Sequence, residues 1–145
     1  MSVSLYFTDF SCQTRDGISI DDILNEIQRV IEGAKVPRAG AIIDYERTDG
    51  SGNKFSIAMG VEVHHKLGCS LNYAPNQDKE CWSVGDESRL TEVIENDDCN
   101  LWFAGLYIRP EKALRAIEEF CRTGKPDTNV DWIDVLDLPG TLYAE

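Results

Sequence analysis

The chain has 145 residues, with 14 Lys and Arg against 26 Asp and Glu, for a net charge of −12. Apolar residues make up 42% and charged residues 28%, which excludes a disordered or fibrous chain and fits one domain over residues 1–145 that buries roughly two-thirds of its unfolded surface. A chain this acidic repels nucleic acid and anionic membranes and is steered toward basic partners, although the same charge also serves plain solubility.

Residues 2–7 read as a first strand, with Val3, Leu5 and Phe7 on one side. Residues 9–17 read as a loop. Ser19 is a good N-cap, and Asp21 and Asp22 put negative charge at the positive end of the helix that follows. Ile20, Ile23, Leu24, Ile27, Val30 and Ile31 form one apolar stripe, so this helix covers a sheet, and Gly33 stops it. Residues 39–47 suggest a second strand and residues 48–53 a turn. From Lys54 to His64 the alternation of Phe55, Ile57, Met59, Val61 and Val63 with polar or small residues is a strong strand signal. Residues 69–73 and 81–84 read as further strands around a polar turn at 77–80, which together make an antiparallel meander. Residues 87–100 carry no clear period. Residues 100–108, rich in Leu101, Trp102, Phe103, Leu106, Tyr107 and Ile108, read as a central strand. Pro110 suits the first position of a second helix with Ala113, Leu114, Ile117, Phe120 and Cys121 on its apolar face, ended by Gly124 and Pro126. Residues 130–136 supply a last strand or an edge cover. The order predicts an α+β fold: an antiparallel sheet of about six strands with two helices packed on one face.

Signs of catalysis are few. The five cysteines are an odd number without a CxxC pair, which fits free thiols in a reducing cytoplasm rather than disulfides or zinc. No basic and apolar leader opens the sequence, and no apolar run approaches the ~20 residues of a membrane span. His64 and His65, adjacent in a strand pattern, are expected on opposite faces, so they neither share a metal nor work as a pair. No phosphate-binding glycine loop and no basic patch interleaved with aromatics is present. The reading is therefore no enzyme, no cofactor and no metal. The competing enzyme reading is a small thiol hydrolase using Cys69, Cys81 or Cys99 with His64 or His65; a generic acidic interaction domain is the third possibility.

Acidic clustering is the remaining feature. Between residues 78 and 98, eight acids oppose only Lys79 and Arg89, a net of −6. Binding residues favour loops on a rigid scaffold, so Asp78, Glu80, Asp86, Glu87, Glu92, Glu95, Asp97 and Asp98, with Trp82, are the candidate partner-binding residues. Reversing Asp97 and Asp98 is expected to slow association with little effect on stability. A second acidic stretch holds Asp127, Asp131, Asp134, Asp137 and Glu145.

The C-terminal third carries a more specific pattern. Ile108-Arg109-Pro110-Glu111-Lys112-Ala113 leads into Ala116-Ile117-Glu118-Glu119-Phe120, then Thr123-Gly124-Lys125-Pro126 and Val130-Asp131-Trp132. This resembles the Imm1 family of immunity proteins from bacterial polymorphic toxin systems. The strand Phe55–Val61, Leu71-Asn72-Tyr73 and Trp82 look like that family's middle strands, so the resemblance spans residues 39–136. Asp127-Thr128-Asn129 implies a slightly longer final loop than the family pattern. The resemblance implies a toxin-neutralising protein whose partner is a cognate toxin, often of the nucleic-acid deaminase type, with a basic substrate groove that an acidic surface would plug. Phe120 and Trp132, as signature aromatics, are expected to lock helix to sheet rather than touch the toxin.

Overall fold

The structure is a computed structural model that describes residues 2–76 and 79–139. In chain order its strands are β1 (Ser2–Thr8), β2 (Thr14–Asp16), β3 (Gly40–Thr48), β4 (Lys54–His64), β5 (Gly68–Asn76), β6 (Lys79–Val84), β7 (Val93–Glu95), β8 (Leu101–Phe103), β9 (Tyr107–Ile108) and β10 (Asp131–Asp134). Helix α1 (Ile20–Ile31) lies between β2 and β3, and α2 (Pro110–Thr123) between β9 and β10. The main sheet runs β10-β6-β5-β4-β3-β1-β2, with β9 also paired to β5. Its pairings are antiparallel. A two-stranded sheet, β7-β8, stands apart. The α+β class with both helices on one face is as the patterning predicts.

Strand parity assigns the faces. Leu5 pairs with Tyr45, Ile43 with Met59, and Val61 with Leu71, so these side chains share one face of the sheet. They join Ile23 and Ile27 of α1 and Ala113, Ala116, Ile117 and Phe120 of α2 in one buried core. Ser19 caps α1 by accepting from the Asp22 amide, and Pro110 opens α2. Gly124 closes α2 in a left-handed conformation, φ 70°, where a Cβ would press on the Tyr45 ring at 2.6 Å. Phe120 is fully buried, and Trp132 packs at a tilt against Tyr73 while its indole donates to the Asp127 carbonyl. Both signature aromatics therefore tie the second helix region to the sheet.

Among the described residues the opposite face carries no α-helix. A second core of Val84, Leu90, Phe103 and Leu106, with Trp82, Trp102 and Ile133, covers its β6–β10 end. The segment forming that cover departs from the expectation of a central strand over 100–108. The chain breaks instead into β8, a 3₁₀ turn at Ala104–Leu106, and β9. A Cβ on Gly105 would meet the Asp86 carbonyl oxygen at 2.4 Å. The glycine thus lets this turn cross directly over the Asp86–Leu90 backbone. An apolar run buried in a turn carries the same sequence signal as one buried in a strand. The short strands β2 and β9 left no period to read, and they raise the strand count above six.

The far edge of β5 serves two partners. Asn72 pairs with Trp82 of β6, and Ser70 pairs with Tyr107 of β9. Between them, the Leu71 amide donates to the buried Ser83 hydroxyl at 2.9 Å, which in turn donates to the Leu106 carbonyl at 2.8 Å. One side chain thus fills the gap in the ladder. Ser83→Ala keeps the volume but leaves two buried main-chain groups unpaired, and should cost about 2 kcal/mol. Urea unfolding should show a lower midpoint with an unchanged slope.

Candidate protein-binding surface

Four of the nine residues singled out in the acidic segment already hold this protein together. Asp86 caps the Glu87–Arg89 turn by accepting from the Ser88 amide and hydroxyl, and these bonds hold its carboxyl below the usual range. Glu92 pairs with Arg89 at 2.6 Å, which lowers it likewise. Asp97 accepts from the His65 amide at 3.0 Å and meets the His65 ring at 2.6 Å. Asp98 accepts from the Ala39 amide at 2.8 Å. Glu87 and Glu95 are exposed, while Glu80 and Trp82 are half-buried on the helix-free face. Asp78 lies outside the described residues.

The turn carrying Asp97 and Asp98 is built by Asn96, a residue that the search for charge passed over. Its side-chain oxygen accepts from the Asp98 and Asn100 amides, and its nitrogen donates to Glu62 at 2.5 Å. The run Asn96-Asp97-Asp98-Cys99-Asn100 is an Asx-turn signature that sequence reasoning could have used. Because Asp97 and Asp98 clamp this turn to His65, just past β4, and to Ala39, just before β3, their reversal is expected to act on stability, contrary to the expectation above. Asp97→Lys with Asp98→Lys should lower the melting temperature by about 5 °C, read by circular dichroism.

His64 and His65 do not point apart. Their rings stack with centroids 4.5 Å apart, and both approach Asp97. His64 ends β4 and His65 already belongs to the turn, so strand alternation stops between them. The cluster brings three potential metal ligands within 4.8 Å of one another. The ring of His64 argues against that use. Its Nδ1 accepts from both the Lys66 and Leu67 amides at 3.1 Å, so in the neutral ring Nε2 carries the proton and has no lone pair for an ion. Burial holds His64 below its ordinary pKa, despite the opposing pull of Asp97. The unfolded chain therefore takes up this proton at higher pH, near 6.5, than the folded one. Stability should fall as pH drops through about 6.5 and level off once folded His64 titrates. His64→Asn, which keeps an acceptor, should flatten that part of a melting profile recorded from about pH 7.5 to 5.

The thiol chemistry considered above loses its geometry at Cys69. Cys69 pairs with Val63 and so faces the helices, while His64 faces the other way. Burial pushes the Cys69 thiol up to about 12. Cys99 is exposed and Cys81 half-buried, and among the described residues neither histidine ring bonds a cysteine sulfur.

The helix-free face has a different character. Cross-strand partners place Tyr6, Asp16, Asp44 and Ala58 in one row, and Ile42, Gly60, Asn72, Trp82 and Ile133 in the next. Glu46 and Glu62 flank these rows on β3 and β4, and Glu80 accepts from Asn72 at 3.0 Å. Among the described residues of this face, Lys54 is the one lysine, and it pairs with Glu46 at 3.8 Å. Asp44 is held above the usual carboxylate range, first by burial and then by Glu46. Ile42 is 46% exposed in the midst of these acids. Sequence reasoning missed Asp44, Glu46 and Glu62 because they are spread over strands rather than clustered along the chain; their regular alternation with core residues was the available signal.

No protein-family model matches the chain, and no curated protein matches its sequence. Among the described residues no helix is long and apolar enough to cross a membrane.

Proposed function

We propose that this is a non-catalytic inhibitor of the immunity-protein kind, which binds a basic partner protein through the helix-free face of its sheet. The observation that carries the reading is the composition of that face. Asp16, Asp44, Glu46, Glu62 and Glu80 stand around apolar Ile42 and Trp82, with Lys54 as the opposing lysine. Acids ringing an apolar centre suit a partner whose Arg and Lys otherwise hold phosphates, such as a toxin acting on nucleic acid, of which a deaminase is one kind. Long-range attraction sets the association rate in such a pair, and the apolar centre sets its lifetime. The C-terminal motif that resembles the Imm1 family supports the same class, and Glu87 and Glu95 are exposed further acids.

The test is binding of the purified protein to the toxin encoded beside its gene. Asp44→Lys combined with Glu80→Lys should slow association about tenfold at low salt, with a smaller difference at high salt, as steering is screened. Surface plasmon resonance at two ionic strengths reads this. An unchanged on-rate in that double variant, with a preserved melting temperature, removes the face from the interface. Absence of any complex at physiological salt removes the inhibitor reading itself.

A further inference from the structure

At the boundary between the open part of the sheet and its second core lies a cleft of about 530 Å³, lined by Glu62, Trp82, Asn96, Cys99, Asn100, Leu101 and Trp102. None of these residues is basic. Glu62 sits beside Trp102, whose indole donates to the Ser70 hydroxyl at 3.3 Å directly across the strand pair from Glu62. Trp82 packs on Trp102 with ring centroids 4.4 Å apart.

Glu62 is the anomaly. It is half-buried, and burial together with Asp98 and Asp97 raises its pKa against the bonds from Tyr107 and Asn96. Among the described residues, ion pairs form at Asp9, Glu26, Glu46, Glu92, Asp97 and Glu118, and none reaches Glu62. A half-buried carboxylate without a cation is a cost to the free protein. Its oxygens each accept one bond, Oε1 from Asn96 and Oε2 from Tyr107. Each therefore keeps capacity for a further bond, and a guanidinium fork can address both oxygens of one carboxylate. Trp82 also lines the cleft, and among the described residues its buried indole N–H has no acceptor.

We infer that this cleft receives an arginine side chain of the partner protein. The guanidinium would form paired hydrogen bonds to Glu62 and lie against the indole of Trp102. A flat, weakly hydrated cation suits an aromatic wall and a two-oxygen acceptor better than a compact ammonium does. A carboxylate facing an aromatic wall favours a guanidinium over a bare inorganic cation, which gains little from the indole face. Arginine anchors seated in desolvated pockets are the kind of contact that dominates an interface. The inference rests on the protein-binding reading above and names the contact that would fix the complex's lifetime.

The experiment uses the protein alone, so its outcome is separable from that of the partner assay. N-acetyl-arginine amide is titrated while the indole N–H signals of Trp82, Trp102 and Trp132 are followed by NMR. N-acetyl-citrulline amide, the neutral isostere, and N-acetyl-lysine amide serve as comparisons. The expected result is saturable movement of the Trp82 and Trp102 signals with arginine, with Trp132 stationary. Binding should weaken at least tenfold with citrulline, and also in Glu62→Gln, which keeps the shape of the side chain and should melt no lower than wild type. Lysine binding as tightly as arginine overturns the guanidinium assignment. Equal shifts with citrulline, shifts that survive Glu62→Gln, or no saturable shift overturn the site, even if the partner still binds the acidic face.

Discussion

The helix-free face depends on one hydrogen-bonding problem, the sharing of the β5 edge between two strands that arrive from different parts of the chain. Strand β6 holds the edge at Asn72 and Tyr73, and β9 holds it at Cys69 and Ser70. A switch of partners within a ladder strands a main-chain donor, and Ser83 takes up that of Leu71 while reaching the Leu106 carbonyl. Because this join is sealed, the chain between β6 and β9 is free to fold back across the sheet as a second layer instead of continuing it. The layer brings Trp102 and Asn96 beside Glu62, from which they stand 40 and 34 positions away in the chain.

Glu62 shows how stability and recognition pull apart at such a junction. A glutamine there would keep two hydrogen-bonding atoms without a charge to desolvate. The carboxylate is retained beside Asp97 and Asp98, which disfavour its charged form further. A free protein that keeps an unfavourable charge in the lining of a cleft holds back electrostatic energy that the arginine proposed above would release. Asp44, half-buried next to Glu46, is a milder case on the same face.

Much of the fold was legible in the sequence because its signals were periodic. Ser19, the apolar stripe of α1, Pro110 and Gly124 mark both helices, and residues 54–64 alternate without interruption. Legibility failed where a residue's role is set by a distant partner. The aromatic run at 100–108 gave hydrophobicity but no period, and the break at Gly105 answers to the carbonyl of Asp86 rather than to its neighbours. The candidate site failed for a related reason. Counting charge along the chain selected residues 78–98, yet an Asx-rich turn is acidic partly because carboxylates are good acceptors for its own amides. Asp97 and Asp98 serve that purpose, whereas the acids of the helix-free face, Asp16, Asp44, Glu46, Glu62 and Glu80, are dispersed over four strands.

The two outer strands of the main sheet limit how anything can approach it. At one edge stands β2, only Thr14-Arg15-Asp16, with Arg15 bound to Glu26 of α1. At the other stands β10, four residues long and bounded by Asp131 and Asp134. Edges this short and this charged are poor templates for strand addition. A partner that docks by extending the sheet, as many peptide-binding domains permit, meets repulsion and too few free amides at both ends. Recognition is thereby diverted from backbone pairing to side chains on the face, where it can depend on sequence. The same feature keeps copies of the protein from zipping together edge to edge while that face stands open to solvent.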